Sequence, residues 1–260
     1  MNKETIDYQK LLKAMVTLGA LLMENGAEVY RVEESIQRVV QSYGVKHADV
    51  FAIPNLVMVS LETWKGESFT KSRRIYSRNA NFDKVIQLNE LARRLTRDPI
   101  DLDEVRKELK LINKRKNYPA IISFFSYGLI ALFFSLLFGG TIKEAIVAAF
   151  AVYAGRIICM QMEHFHANSF FVTMTASFIH SMVAYIVISI FPDLRLDKIV
   201  TGTLMVLVPG VTFMTGLRDI IARDLIAGLL EGLEAVVIAV AIASGSALAI
   251  GMMPLLWEVL

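Results

Sequence analysis

The stretch PAIISFFSYGLIALFFSLLFGGTI occupies residues 119–142 and contains no Asp, Glu, Lys or Arg over 24 consecutive positions. A run of about 18 or more apolar residues is long enough to cross the hydrocarbon layer of a bilayer as a helix. Three more uncharged runs follow at 164–192, 199–217 and 235–257, counting His as neutral, and 145–162 is apolar except for Arg156. The sequence therefore predicts five spans, near 119–139, 145–162, 169–191, 199–217 and 225–250.

The charged residues are concentrated before these runs. Residues 1–118 hold 21 of the 27 Lys and Arg and 16 of the 25 Asp and Glu, whereas the remaining 142 residues hold only 6 and 9. A soluble helical core has no need of five such apolar runs, so a membrane domain is the favoured interpretation. The net charge of +2 gives no reason to expect a nucleic-acid partner, and the single Cys159 cannot form an intrachain disulfide.

Residues 1–117 show the mixed periodicities of an α/β domain. Two apolar helical faces end near Gly26 and Gly44, residues that favour a helix stop. The segment VFAIPNLVMVSLET (50–63) predicts a bulged strand or two short strands, and SFTKSRRIY (68–76) predicts an antiparallel partner. With two further helices, the predicted fold class is a multi-pass α-helical membrane protein, spanning at 118–260, with an N-terminal α/β domain at 1–117.

Charge also predicts the orientation of the chain. The basic run Lys114-Arg115-Lys116 adjoins the first predicted span, and the opening segment is charged and amphipathic, so we expect no cleaved signal peptide. These features place the N-terminal domain in the cytoplasm and the protein in the inner or plasma membrane. Five spans then leave the C-terminus outside.

Ionisable residues within the predicted spans are the first candidates for a site, because a charge in lipid is costly unless it faces protein or water. Arg156 could hold a substrate carboxylate through two parallel hydrogen bonds. The alternative for Arg156 is a structural ion pair with Glu163, Glu231 or Glu234. His180 could relay protons, although a hydrogen-bonded packing histidine is the favoured interpretation.

Glu231 and Glu234 lie three residues apart, which places them on one face of a helix. Two carboxylates held close together at low dielectric raise the pKa of one of them, so the pair is a candidate for carrying a proton. The alternative is a hydrated pair near the cytoplasmic end of the span.

The segment LMVLVPGVTFMTGLRDIIARDLIAG (204–228) interrupts an apolar run with Pro209-Gly210. Proline removes a backbone donor and glycine permits unusual backbone angles. Non-helical backbone at membrane depth is tolerated only where it is buried in protein or lines a water-filled cavity, and transporters use such breaks at their substrate sites. The alternative is a simple proline kink. The following Arg218 and Asp219 could sit in a solvated cytoplasmic turn.

Other chemistries receive little support. The sequence contains no P-loop, GxSxG, HExxH or paired CxxC motif, and His47 is the only histidine in residues 1–117, so an enzyme is not expected. His164 and His166 are two apart and do not share a helical face, so neither a metal nor a cofactor is predicted. A basic edge at Lys71, Arg73, Arg74 and Arg78 could attract anionic lipid or substrate, although a solvated edge strand is the favoured explanation.

Two stretches carry a resemblance to a known family. LLMENGAEVYRVEESIQRV (21–39) resembles the start of the cytoplasmic domain of the threonine/serine exporter family, and LMVLVPGVTFMTGLRDIIARDLIAGL (204–229) resembles its hallmark membrane motif. The layout of a cytoplasmic α/β domain followed by five spans is also similar. Within the family, the chain resembles the larger subunit of a two-component succinate exporter, in which a smaller membrane subunit supplies the other spans.

The resemblance can be carried over position by position. The positions that match the membrane motif are Pro209, Gly210, Gly216, Arg218, Asp219 and Asp224. Thr215 stands where Asn is common, Arg223 where Gly is common, and Ala227 where a small polar residue is common. Asn25, Gly26, Glu28, Arg31 and Glu33 match the N-terminal motif, and their expected role is to join the cytoplasmic domain to the transport domain.

The resemblance implies a secondary exporter subunit for small carboxylated metabolites such as threonine, serine or succinate. In this hypothesis Arg156, Pro209, Gly210, Thr215 and Arg218 bind the substrate. Asp219, Glu231, Glu234 and His180 exchange protons or ions, and a smaller subunit or further copies of the chain cover the remaining faces. The competing hypothesis is a sensor or scaffold with a ligand-binding cytoplasmic domain and a passive membrane anchor.

Overall fold

The computed structural model describes residues 6–78, 80–115, 118–165 and 167–259. The chain divides into two compact units, the first formed by 1–117 with 214–232 and the second by 118–213 with 233–260. The sequence prediction had placed 214–232 in the membrane half, whereas in the structure this segment clusters with the N-terminal residues. The domain limits of the sequence analysis remain a prediction.

Across residues 6–78 and 80–115, the first unit contains four helices and three strands. In chain order they are α1 (Tyr8–Glu24), α2 (Val29–Ser42), β1 (His47–Ile53), β2 (Leu56–Glu62), β3 (Ser68–Arg74), α3 (Phe82–Arg97) and α4 (Leu102–Lys114). The strands form an antiparallel sheet in the order β1-β2-β3. The interrupted strand of the prediction is therefore two strands, joined by a turn at Pro54-Asn55.

The core of this unit forms where α1 and α2 pack on the sheet. Leu18, Ile36 and Val57 are fully buried there. Gly19 permits the close approach of α1, because a Cβ at this position would lie 2.6 Å from Cδ1 of Ile36. Both predicted helix stops are confirmed, since Gly26 and Gly44 follow α1 and α2 with positive φ angles of 90° and 77°.

Six apolar helices follow in the described residues from 118 onward. They are α5 (Ala120–Leu137), α6 (Ile142–His164), α7 (Ser169–Ile190), α8 (Leu196–Met205), α9 (Gly210–Ile221) and α10 (Leu225–Val259). Among the described residues, three helices are long and apolar enough to cross a membrane, at Ile142–His164, Ser169–Ile190 and Leu225–Met253. Helices α8 and α9 form a fourth candidate that is bent by 59°, and α5 is a shorter apolar helix. The protein is thus a helical membrane protein, and the count of five spans remains a prediction.

Small and hydroxyl side chains bring the helices of the second unit together. The Ser177 hydroxyl of α7 donates to the carbonyl of Ile242 on α10 at 2.6 Å, and the hydroxyls of Ser181 and Ser246 lie 2.9 Å apart. Close packing through small residues is typical of membrane helices, since lipid chains provide no hydrophobic force between them.

At the N-terminal end of α6, the buried carboxylate of Glu144 connects two loops. Glu144 accepts hydrogen bonds from the backbone N–H of Arg195 at 2.8 Å and from its guanidinium at 3.1 Å. Thr141 and Glu144 also form a reciprocal capping box at the start of α6. Glu144 therefore has a structural role at this end of the second unit.

Candidate functional site

A cavity of about 220 Å³ lies within the second unit, against α6 and α7. Both helices contribute polar residues to its lining, together with Tyr127 of α5 and the non-helical residues Val206 and Leu207 after α8. The lining residues that matter here are Arg156, Glu163, Ser169, Thr173, His180 and Leu207. Two of the side chains named from the sequence, Arg156 and His180, therefore share one cavity.

Arg156 is held in place by a carboxylate and an aromatic ring. Its two terminal nitrogens donate to the two carboxylate oxygens of Glu163, at 2.7 and 3.2 Å. Its guanidinium carbon lies 5.0 Å from the ring centre of Tyr127, a distance suited to a cation–π contact. Of the ion-pair partners considered from the sequence, Glu163 is the one found, and the Arg156 side chain keeps 24% of its surface exposed.

His180 is almost completely buried on the cavity wall, with 2% of its surface exposed. Its Nδ1 has no hydrogen-bond partner within the described part of the chain, so the structure does not show the hydrogen-bonded packing histidine that the sequence favoured. The ring packs against Gly155 of α6, where a Cβ would lie 2.5 Å from its Nε2. An unsatisfied buried nitrogen beside a cavity is a group that a polar solute can satisfy.

The break between α8 and α9 starts earlier than the sequence suggested. Helix α8 ends at Met205, and Val206 and Leu207 line the cavity as part of a turn. Pro209 and Gly210 are not among the lining residues, and the space around Gly210 is open. Pro209 instead precedes the first residue of α9, where its carbonyl accepts from the N–H of Phe213 at 2.9 Å. The structure thus shows an interrupted helix and not a simple kink.

A second group of charged residues lies in the first unit. Arg218 of α9 donates to the carboxylate of Glu28 at the start of α2. Arg78, in the loop after β3, donates to the carboxylate of Glu231 on α10 at 2.7 Å. These two ion pairs connect α9 and the first part of α10 to the N-terminal residues. We call the five residues Glu28, Arg78, Arg218, Asp219 and Glu231 the ionic cluster.

Asp219 is the unusual member of the ionic cluster. Its side chain is fully buried, and neither carboxylate oxygen has a hydrogen-bond partner among the described residues. Glu231 and Glu28 act on it electrostatically, as does the Arg78 guanidinium with opposite sign. Burying an ionised carboxylate costs free energy unless the group is paired and hydrogen-bonded, so the ionised form of Asp219 is unfavourable at this position.

The two glutamates that the sequence paired lie in different surroundings. Glu231 is 1% exposed and bonded to Arg78, whereas Glu234 belongs to the exposed residues of α10. The buried carboxylate that interacts with Glu231 is Asp219, on the neighbouring helix. Sequence spacing missed the Asp219–Glu231 pair because the two residues lie on different helices. It missed Arg78 because this residue is 153 positions from Glu231 in the chain.

Several motif residues have backbone roles. Gly216 and Gly228 bring α9 against α10, since a Cβ on Gly228 would lie 2.6 Å from the carbonyl oxygen of Gly216. Asp224 precedes α10, where its carbonyl accepts from the N–H of Gly228 at 3.0 Å. Thr215 is a partly buried residue of α9.

The N-terminal motif fixes the junction of α1, α2 and the sheet. The Asn25 side chain donates to the carbonyl of Leu21 at 2.6 Å, and Gly26 takes the left-handed turn. Arg31 pairs with Glu28 at 2.9 Å. Glu33 accepts from the N–H of Ala52 on β1 at 2.7 Å.

The Glu33 carboxyl is also perturbed electrostatically. Burial raises the pKa of Glu33 above its usual 4.5, the Ala52 hydrogen bond opposes this rise, and Asp224 adds to it. Asp224 belongs to the membrane motif, so the two motifs interact at this point as well as through Glu28 and Arg218.

Within the described ranges, no group of three or more His, Cys, Asp or Glu is arranged to hold a metal ion. His166 lies outside the described residues.

The basic residues of β3 are exposed, whereas Arg78 beyond the strand forms an ion pair with Glu231. The favoured explanation of the basic edge therefore fails for Arg78.

Taken together, the apolar helices, the interrupted helix and the ionic side chains at a cavity are features typical of membrane transport proteins. A family model described as "Putative threonine/serine exporter" matches residues 13–253. The chain belongs to this family. Membership supports a transport role over an enzymatic one.

Two relatives extend this comparison. The chain is 24% identical over 233 residues to "Pheromone-regulated membrane protein 10" of Eremothecium gossypii, covering 86% of this chain and 30% of that protein. It is 21% identical over 230 residues to a "Probable threonine/serine exporter" of Mycobacterium tuberculosis, covering 87% of this chain and 43% of that protein. The chain thus spans less than half the length of these relatives. No solved structure matches it.

Proposed function

We propose that this protein is a subunit of a secondary exporter for small carboxylated metabolites, with the cavity of the second unit as its substrate site. The observation that carries the proposal is that Arg156 and His180 line the same cavity, next to the interrupted helix at Val206 and Leu207. The buried Nδ1 of His180 has no hydrogen-bond partner within the described chain. A chain that only anchors a cytoplasmic sensor has no use for these groups within its membrane helices.

The chemistry of the cavity suits a carboxylate. Moving an ionised carboxylate from water into hydrocarbon is very costly unless it meets a partner, and a guanidinium supplies two parallel hydrogen bonds together with the opposite charge. The hydroxyls of Ser169 and Thr173 and the His180 ring add polar groups for the rest of a small solute. Threonine, serine and succinate are solutes of this kind.

The proposed topology has five spans, with the N-terminal domain in the cytoplasm and the C-terminus outside. In addition to the three long apolar helices, the shorter helix α5 and the bent pair α8–α9 supply the other two spans. Since the chain covers less than half of its longer relatives, we propose that a smaller membrane subunit, or further copies of this chain, complete the transporter.

We further propose that transport is coupled to protons through the ionic cluster. The carboxylate of Asp219 is buried and has no hydrogen-bond partner in the described part of the chain, whereas the buried Glu231 is paired with Arg78. A buried carboxyl that alternates between a dry and a wet surrounding can bind and release a proton during transport. Arg218 would then act in the cluster through Glu28, and not as a substrate ligand in the cavity.

Efflux from reconstituted vesicles loaded with threonine, serine or succinate tests the proposal. The Arg156→Ala variant is expected to lose about tenfold or more of the efflux rate, since a charge-assisted hydrogen bond contributes about 1.5–3 kcal/mol. Lys143→Ala removes an exposed cation of the same helix and serves as the control. Wild-type efflux by the Arg156 variant would remove the cavity from the mechanism, and no efflux by the wild type, with its partner subunit present, would favour the sensor or scaffold.

A further inference from the structure

We infer that Glu163 is a substrate-recognising residue. Its carboxylate pairs with Arg156 when the cavity is empty, and it binds the ammonium group of an incoming zwitterion once the substrate carboxylate has displaced it from Arg156. The inference rests on the proposed function and adds a second charged subsite to it. Glu163 was considered from the sequence only as a structural partner of Arg156.

The geometry of the ion pair supports an exchange. Glu163 engages Arg156 through both carboxylate oxygens, which is how a free carboxylate would be expected to bind the same guanidinium. The Glu163 side chain is thus a covalently attached stand-in for a substrate carboxylate. It competes with the substrate carboxylate for Arg156. When the cavity holds no solute, it lowers the free-energy cost of burying this cation.

Glu163 also has room to move. It lies seven residues after Arg156, two turns along α6 and next to the end of that helix at His164. Its side chain is 48% exposed, compared with 24% for Arg156. The pair can therefore open by a rotation of the Glu163 side chain toward solvent, while the Tyr127 ring keeps the guanidinium in place.

Opening the pair creates two charges of opposite sign on one cavity wall. An α-amino acid carries a carboxylate and an ammonium, so inserting it between Arg156 and Glu163 replaces one ion pair by two. A dicarboxylate satisfies Arg156 but places a second negative charge toward Glu163, where like charges repel. Glu163 therefore favours a zwitterion over a dianion, because it attracts the ammonium group of the first and repels the second carboxylate of the other.

His180 and the hydroxyls complete the site. The Nδ1 of His180 lacks a partner within the described chain, and Ser169 and Thr173 line the same cavity. These groups accept or donate hydrogen bonds without adding a fixed charge, so they serve either class of solute. The discrimination is assigned to Glu163 because it is the acidic residue on the described lining.

The test compares threonine and succinate efflux from vesicles containing the complete transporter, in the wild type and in Glu163→Gln and Glu163→Asp. Glu163→Gln is expected to lower the threonine-to-succinate efflux ratio about tenfold or more, because the amide keeps the shape but loses the charge. Glu163→Asp keeps the charge and is expected to retain at least part of the wild-type preference. Asp197→Asn, which removes an acid that is 66% exposed, controls for a general loss of negative charge.

Protein abundance and thermal unfolding of each variant, measured in parallel, identify a folding defect. An unchanged ratio in a folded Glu163→Gln variant that still exports would overturn the inference and leave the proposed function standing. Absence of any efflux by the wild type would overturn the proposed function instead. If Glu163→Gln lowers the efflux of both solutes equally, Glu163 only maintains Arg156, and the inference is again wrong.

Discussion

The guanidinium of Arg78 donates a hydrogen bond of 2.7 Å to the carboxylate of Glu231, although the two residues are 153 positions apart in the chain. Glu231 is 1% exposed and Arg78 22% exposed, so the pair is largely shielded from solvent. It connects the loop after β3 to the beginning of α10. Arg78 is thus a neutralising partner for a buried carboxylate and not only part of a basic surface.

Replacing Arg78 by Ala is expected to destabilise the protein by about 3–5 kcal/mol, since removing one partner leaves an uncompensated buried charge. The double variant Arg78→Ala with Glu231→Gln is expected to recover much of this loss, because no buried charge remains. Lys71→Ala removes an exposed cation of β3 and is the control. Thermal unfolding in detergent measures all three, and a single Arg78 variant as stable as the wild type would contradict the assignment.

The sequence predicted the elements of the N-terminal domain because their signals are local. Gly26 and Gly44 mark helix ends, and Pro54 marks the turn between two strands. The Arg78–Glu231 contact has no such signal, since it depends on how α10 returns to the loop after β3. Long-range ion pairs of this kind follow from tertiary packing, which spacing along one sequence does not encode.

Arg223 adopts a left-handed backbone with a φ of 71°. The N–H of Asp224 donates to the carbonyl of Asp219 and the N–H of Arg223 to that of Ile220, which together form a Schellman motif at the end of α9. The left-handed residue of this motif is usually glycine, because any Cβ crowds the neighbouring carbonyl. Arg223, which stands where the family commonly has glycine, therefore has a strained backbone conformation.

Arg223→Gly is expected to stabilise the protein by up to about 1 kcal/mol, as the relief of backbone strain exceeds the extra entropy of glycine in the unfolded chain. Arg223→Ala retains a Cβ and is expected to bring no comparable gain, so it separates backbone strain from loss of the side-chain charge. Thermal unfolding of both variants checks the prediction. Equal stabilisation by Gly and Ala would assign the effect to the arginine charge.

Gly155 sets the position of His180 on the cavity wall. A Cβ at 155 would lie 2.5 Å from Nε2 and 2.6 Å from Cδ2 of the ring, so Gly155→Ala requires the imidazole to move. Overpacking of this kind costs about 1–3 kcal/mol. We expect efflux to fall about tenfold, while Gly251→Ala on α10, where the added Cβ meets open space, leaves it unchanged. Wild-type efflux by the Gly155 variant would argue against a role for the His180 position.

Composition and spacing identified part of the cavity and missed the rest. Arg156 and His180 stood out because they interrupt apolar runs, and both line the cavity. Pro209 also stood out, but the residues that face the cavity are Val206 and Leu207, because the helix ends four residues before the proline. A helix-breaking residue signals that an interruption exists, whereas the packing around it decides which residues are turned inward.

Asp219 provides the sharpest test of proton coupling, because its buried carboxylate has no hydrogen-bond partner among the described residues. Asp219→Asn keeps the shape and removes the charge, so we expect the variant to unfold at the same or a higher temperature than the wild type. If protons move through this carboxyl, efflux by the variant no longer responds to an imposed pH gradient across the vesicle membrane. Asp193→Asn removes an exposed acid and is expected to keep the wild-type response. A folded Asp219→Asn protein with a wild-type response to the gradient would exclude Asp219 as the coupling group and would turn attention to Glu231, the other buried acid of the ionic cluster.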